Sequence, residues 1–269
     1  MLRRRPDLGM AASPYTWHDP GNMKTLESNI PYVQSRADAQ RENDCRLDVV
    51  APDAGNHVPT VIWFHGGGLN SGERYVPGEL MDLGFAIVPV SYRLSPRVQA
   101  PAYIEDAAAA VAWVFSNLDR WGGDRKRVVV AGASAGGYLA GMVVLDKRWL
   151  GHYQIDANAV AGLVSLSGQA ITHFTVREER GMPGHQAVVD DLAPLYHVRP
   201  DAPPILLVTG DRDLELLGRY EENAYFLRML QVAGHRDHAL HELKGRDHAG
   251  VEAAGHAYLI DFVRRVCGL

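Results

Sequence analysis

One stretch of small residues, Gly132-Ala133-Ser134-Ala135-Gly136-Gly137, constrains this chain more than any other. The β-branched run Val128-Val129-Val130 precedes it, and Tyr138-Leu139-Ala140-Gly141-Met142, which suits a helix, follows. A strand that turns directly into a helix leaves no room for bulky neighbours at the turn. The G-x-S-x-G pattern meets that demand and holds its serine at a strained backbone angle. The spacing predicts a sharp strand-to-helix junction with Ser134 at its tip; the competing reading is an ordinary small-residue turn with a buried serine.

Around this junction, short β-rich apolar runs alternate with longer helical patterns. Strands are predicted at Arg46 to Val50, Thr60 to Phe64, Phe85 to Ser91, Arg127 to Ala131, Val160 to Ser165, Pro204 to Thr209 and Ala239 to Leu243. Helices are predicted at Ile104 to Leu118, Tyr138 to Leu145, Arg219 to Gln231 and Val251 to Val266. One continuous alternation of this kind predicts an α/β fold, a doubly wound and mostly parallel sheet with helices on both faces. Pro89 sits awkwardly in the third run, because it removes a donor from what should be an inner strand. Residues 1 to 44 are polar, turn-rich and without period, and are read as an irregular N-terminal arm. Residues 45 to 269 then form one domain, with an insert from about 168 to 203 that is too long for a plain connection and is placed over the site.

Composition narrows the function. With 46% hydrophobic and 22% charged residues in 269, the chain can bury a sizeable core. A net charge of -5 without a basic run gives no footprint for nucleic acid. Cys45 and Cys267 form no CxxC pair, so neither zinc nor a disulfide framework is indicated. No stretch approaches the roughly 18 apolar residues of a membrane span. Arg3-Arg4-Arg5 is followed by Pro6-Asp7 where a signal peptide would be apolar, so a cytoplasmic location is expected unless a leader has been trimmed.

An acyl-transfer serine needs pre-aimed donors for the developing oxyanion. His65-Gly66-Gly67-Gly68 follows the second strand, and the N–H groups of Gly67, Gly68 and Ala135 are the candidates. His65 itself is read as a brace for this loop. In such a fold the acid and then the base follow the serine in sequence. Asp213, in Gly210-Asp211-Arg212-Asp213, and His248, in Arg246-Asp247-His248, each follow a strand, at the edge where a doubly wound sheet places its chemistry. Asp213 is favoured over Asp211 as the acid. Among twelve histidines, His235, His238 and His241 are evenly spaced but lack a metal motif and are read as surface residues. Phe174 and Tyr196 are candidates for the pocket wall.

These residues resemble the HGGG-bearing esterase branch of the α/β-hydrolase family, which includes hormone-sensitive-lipase-like enzymes and compact xylan and feruloyl esterases. The resemblance spans roughly residues 45 to 265. It includes Ser91-Tyr92-Arg93-Leu94-Ser95-Pro96, Glu105-Asp106-Ala107-Ala108 with Trp113, and Gly122-Gly123-Asp124. It implies that Arg93 and Asp106 are structural, as a buried or partly buried ion pair. It also implies that Ser134, Asp213 and His248 hydrolyse a small-molecule ester through an acyl-enzyme, with no metal or organic cofactor. Small or medium acyl or aryl esters are the expected substrates, carbohydrate acetyl and feruloyl esters among them. The chain departs from the family in its small canopy and in Leu214-Glu215-Leu216, where relatives often carry a valine-proline step. Two other readings stay open: an arylformamidase-like amide hydrolase and a non-catalytic ligand-binding relative. The oligomeric state is not legible.

Overall fold

The computed structural model describes residues 23–34, 38–52 and 56–269. Its eight strands are β1 (Met23–Pro31), β2 (Arg46–Pro52), β3 (Val58–Phe64), β4 (Ala86–Val90), β5 (Gly123–Ala133), β6 (Gly162–Leu166), β7 (Ile205–Gly210) and β8 (His238–Leu243). They form one sheet in the order β1-β2-β4-β3-β5-β6-β7-β8. The pairs β1·β2 and β2·β4 are antiparallel and the rest are parallel. The helices are α1 (Ala39–Asp44), α2 (Ala102–Asn117), α3 (Ala135–Leu145), α4 (Lys147–Gly151), α5 (Phe174–Glu179), α6 (Arg219–Val232) and α7 (His248–Cys267).

Because side chains alternate along a strand, a central strand feeds both faces of the sheet. In β3, Ile62 and Phe64 join the apolar layer packed with α2 and α3, while Val61 and Trp63 join the opposite layer packed with α7. All seven residues of β3 are buried, which explains why it reads as a continuous apolar run. Pro89 is accommodated because β4 pairs with β2 only at Leu47↔Val90 and Val50↔Ile87, leaving the proline outside that ladder.

The reading of residues 1 to 44 as an irregular arm needs correction. Residues 1–22 lie outside the described residues, but Met23–Pro31 is an edge strand hydrogen-bonded to β2 and Ala39–Asp44 is a short helix. Most of β1 is half-buried or exposed, so it lacks the strong apolar alternation that marks the inner strands. The segment from about 168 to 203 is an irregular excursion carrying the short helix α5 and a single turn at Pro194–His197.

Arg93 and Asp106 form the expected buried pair. The Arg93 guanidinium donates to both Asp106 oxygens at 2.7 and 2.9 Å, and Arg41 adds a third bond at 2.9 Å. The Asp106 side chain is fully buried, so these bonds offset the cost of taking its charge out of water. The ion cluster ties α1 and the loop after β4 to α2.

Candidate active site

The junction of β5 and α3 has the geometry that its small residues predict. Ser134 sits between them at φ 51° and ψ -116°, a conformation that costs a non-glycine residue about 1–3 kcal/mol and persists only where its surroundings enforce it. Its amide donates to the Leu166 carbonyl at 2.8 Å, fastening the junction to β6. A Cβ on Gly136 would stand 1.9 Å from the Phe64 carbonyl oxygen, and one on Gly132 would stand 2.5 Å from the Gly136 oxygen. Both glycines are therefore steric requirements of the turn.

His248 begins α7. The side chain of Asp247 caps that helix by accepting from the Gly250 amide at 2.9 Å, which is how the sequence stops the loop at this point. The His248 Nε2 atom lies 2.9 Å from Ser134 Oγ. Its Nδ1 atom lies 2.6 Å from Glu215 Oε1. With Nδ1 protonated toward the carboxylate, Nε2 is left to accept the serine proton.

The acid partner thus differs from the sequence expectation: Glu215 meets His248, and neither Asp213 nor Asp211 does. The reason lies in the turn after β7. Leu214 and Glu215 amides both donate to the Asp211 carbonyl, at 2.9 and 2.8 Å, forming one helical turn. The Asp211 carboxylate is used to close that turn, accepting from the Asp213 amide at 3.1 Å and the Gly245 amide at 2.8 Å. Asp213 is exposed. Four residues after Asp211, Glu215 returns beneath the end of β7, where its side chain is fully buried.

Four donors surround the Glu215 carboxylate. Besides His248, these are Ser167 Oγ at 2.6 Å, the Leu216 amide at 2.8 Å and the Gly210 amide at 3.1 Å. Burial alone would raise its pKa, but hydrogen bonds from His248, Ser167 and the Leu216 amide outweigh burial and bring it down to about 2. The group is anionic throughout the neutral range. Ser167 also stands 3.0 Å from His248 Nδ1. It is held at φ 50°, with its amide on the Val208 carbonyl at 2.6 Å and its carbonyl accepting from the buried Arg219.

The Gly66–Gly68 loop runs beside the serine, since a Cβ on Gly66 would lie 3.4 Å from Ser134 Cβ. Gly67 adopts φ 105°, and a Cβ there would meet the Ser71 carbonyl oxygen at 2.2 Å; only glycine fits. The Gly67 carbonyl closes the loop by accepting from Asn70 and Ser71 amides at 3.1 and 3.0 Å. The N–H groups of Gly67 and Gly68 donate to no backbone carbonyl among the described residues. Ala135 is the first residue of α3, so its N–H has no partner within the helix. His65 braces the loop: its Nδ1 lies 2.6 Å from the Gly66 carbonyl and its ring stacks on Tyr92 at 4.4 Å. Burial lowers its pKa, which keeps it neutral.

A cleft of about 360 Å³ opens over Ser134 and His248, with Gly67, Gly68, Phe174 and Leu216 among its walls. Phe174, from the insert, is on the cleft as the sequence suggested. Tyr196 is 61% exposed and is not part of that wall. His235 is buried and not a surface residue: its Nε2 lies 3.0 and 3.1 Å from the Ala202 and Pro203 carbonyls. Among the described residues no group of three or more His, Cys, Asp or Glu is arranged to hold a metal ion. None of the described helices is long and apolar enough to cross a membrane.

Sequence reasoning missed Glu215 and Ser167. A signal for Glu215 exists in the Asp211 to Glu215 spacing, since residues four apart on a helical turn share a face. Ser167 carries no local signal, because its role comes from the neighbouring strand ends.

Known proteins resemble this chain in sequence and in fold. The BD-FAE family model matches residues 47–170. Esterase LipC of Mycobacterium tuberculosis is 28% identical over 214 residues, which is 71% of this chain and 53% of that protein. The chain spans about half the length of the curated relatives it matches, 53%, 41% and 48% of the first three. Among solved structures, a bacterial heroin esterase has a TM-score of 0.70 at 24% identity, covering 93% of this chain and 86% of that one. A truncated carbohydrate esterase from gut microbiota has a TM-score of 0.74 at 16% identity, covering 94% and 99%. These likenesses extend the shared fold across nearly the whole chain.

Proposed function

We propose that this chain is a serine carboxylic-ester hydrolase of the esterase branch of the α/β-hydrolase superfamily. The observation that carries the reading is the continuous chain of short contacts from Ser134 Oγ through His248 to Glu215. It lies at the floor of a cleft whose rim supplies unengaged backbone N–H groups.

In this reading Ser134 attacks the ester carbonyl while His248 Nε2 takes its proton. Glu215, kept ionised by its donors, fixes the imidazole tautomer and stabilises the imidazolium. The amides of Gly67, Gly68 and Ala135 receive the oxyanion. His248 then protonates the leaving alcohol, and water repeats the cycle on the acyl-Ser134 intermediate. The strained angle at Ser134 presents Oγ to the cleft without prior rearrangement. Substrates are small or medium acyl and aryl esters. The names of the relatives, esterase and carboxylic ester hydrolase, support ester bonds as the class cleaved.

A panel of nitrophenyl esters, acetylated sugars and ferulates tests the proposal. Hydrolysis by the wild-type chain and a loss on the order of 10⁶ in kcat for folded Ser134→Ala are expected. Near-normal turnover by that variant would overturn it.

A further inference from the structure

The wall of the cleft carries one charged group with no part in the proton relay. Glu252 lines the same cavity as Ser134 and His248. It lies four residues after His248 on α7, so the two side chains share one face of the helix, about 6 Å apart along its axis. Its Oε1 oxygen accepts from the Tyr75 hydroxyl, whose ring rests edge-on against buried Trp63 at 6.4 Å. The carboxylate is thereby fixed in the wall instead of moving freely in solvent.

Among the described residues no lysine or arginine lines the cleft. The nearby acid Glu79, on the loop before β4, is engaged by His256 at 3.1 Å, and Glu215 is enclosed by its own donors. Among the described residues, the carboxylate that lines the cleft outside the relay is that of Glu252. Its position also decides which part of an ester it meets. The carbonyl oxygen points to the Gly67 and Gly68 side, whereas the leaving oxygen must lie within reach of His248 Nε2 to collect its proton. The alcohol portion consequently lies toward α7, beside Glu252.

We infer that Glu252 is a specificity residue that selects esters of positively charged alcohols, such as amino alcohols, and disfavours esters whose alcohol carries an anion. The inference rests on the esterase reading above. The ammonium group of an amino alcohol, three bonds from the leaving oxygen, lies on the α7 side of the cleft that carries Glu252.

The test compares three acetate esters of similar size: one of a quaternary-ammonium ethanol, its uncharged tert-butyl isostere, and one of a hydroxy acid. In the wild-type chain kcat/KM should fall in that order. The cation-to-neutral ratio should be on the order of fivefold, as for a partly exposed ion pair, and should shrink as salt is added. In Glu252→Gln, with folding checked by thermal melting, the ratio should collapse toward one. Equal rates for the cation and its isostere in the wild-type chain, or an unchanged ratio in Glu252→Gln, would overturn the inference while leaving the esterase reading intact. Failure of the wild-type chain to hydrolyse any of the three would overturn both.

Discussion

Glu215 Oε1 and His248 Nδ1 stand 2.6 Å apart at the end of β7, and in the proposed mechanism this contact gives Glu215 the part that the sequence analysis placed on Asp213. Replacing Glu215 by Gln keeps the shape but removes the acceptor charge and invites the wrong imidazole tautomer. We expect kcat to fall by about 10⁴ with KM little changed. Asp213→Asn, at an exposed side chain outside the relay, should stay within about twofold of wild type. Steady-state kinetics of both variants decide the matter, and the reverse pattern would return the role to Asp213.

The same carboxylate makes stability depend on pH in a defined direction. Its folded pKa, about 2, is depressed from a reference of 4.5, so the unfolded chain binds the proton more readily. Its stabilising contribution is fully present above pH 4.5 and is lost as pH falls from there through about 2. Urea unfolding of wild type and Glu215→Gln should show a stability difference that drifts against the wild type as pH falls below 4.5. A difference independent of pH down to 3 would show that the carboxylate is not held in this way.

Ser167 positions Glu215 through a 2.6 Å hydrogen bond, and its φ of 50° is one that glycine adopts without strain. Ser167→Gly therefore removes the hydroxyl without forcing the backbone. The lost bond to a buried anion should lower kcat roughly tenfold, leave KM nearly unchanged and raise the Glu215 pKa. Wild-type kcat in the glycine variant would mean that the position matters only for its backbone angle.

The legible and illegible parts of this protein differ in physical kind. Inner strand β3 and the second half of β5 were readable because burial on both faces leaves a nearly continuous apolar run there. The Ser134 junction was readable because Gly132 and Gly136 have no steric alternative. The edge strand Met23–Pro31 was missed, since a half-exposed edge tolerates Lys24, Glu27 and Asn29 and needs no apolar period. Residues 211 to 215 defeated sequence reasoning for another reason. Three carboxylates within five positions are chemically equivalent candidates, and only the turn that consumes Asp211 and turns Asp213 outward selects Glu215. Ser167 and Glu252 acquire meaning solely from what the fold brings next to them.

The central claim is that Ser134 is a nucleophile activated by His248 in a cleft open to esters. Treating the folded chain with a fluorophosphonate and mapping the adduct by mass spectrometry tests it most directly. The account predicts one stoichiometric adduct on the peptide bearing Ser134, absent in Ser134→Ala and strongly slowed in His248→Ala. Absence of labelling at Ser134 in the intact wild-type chain, or equal labelling once His248 is removed, would contradict it.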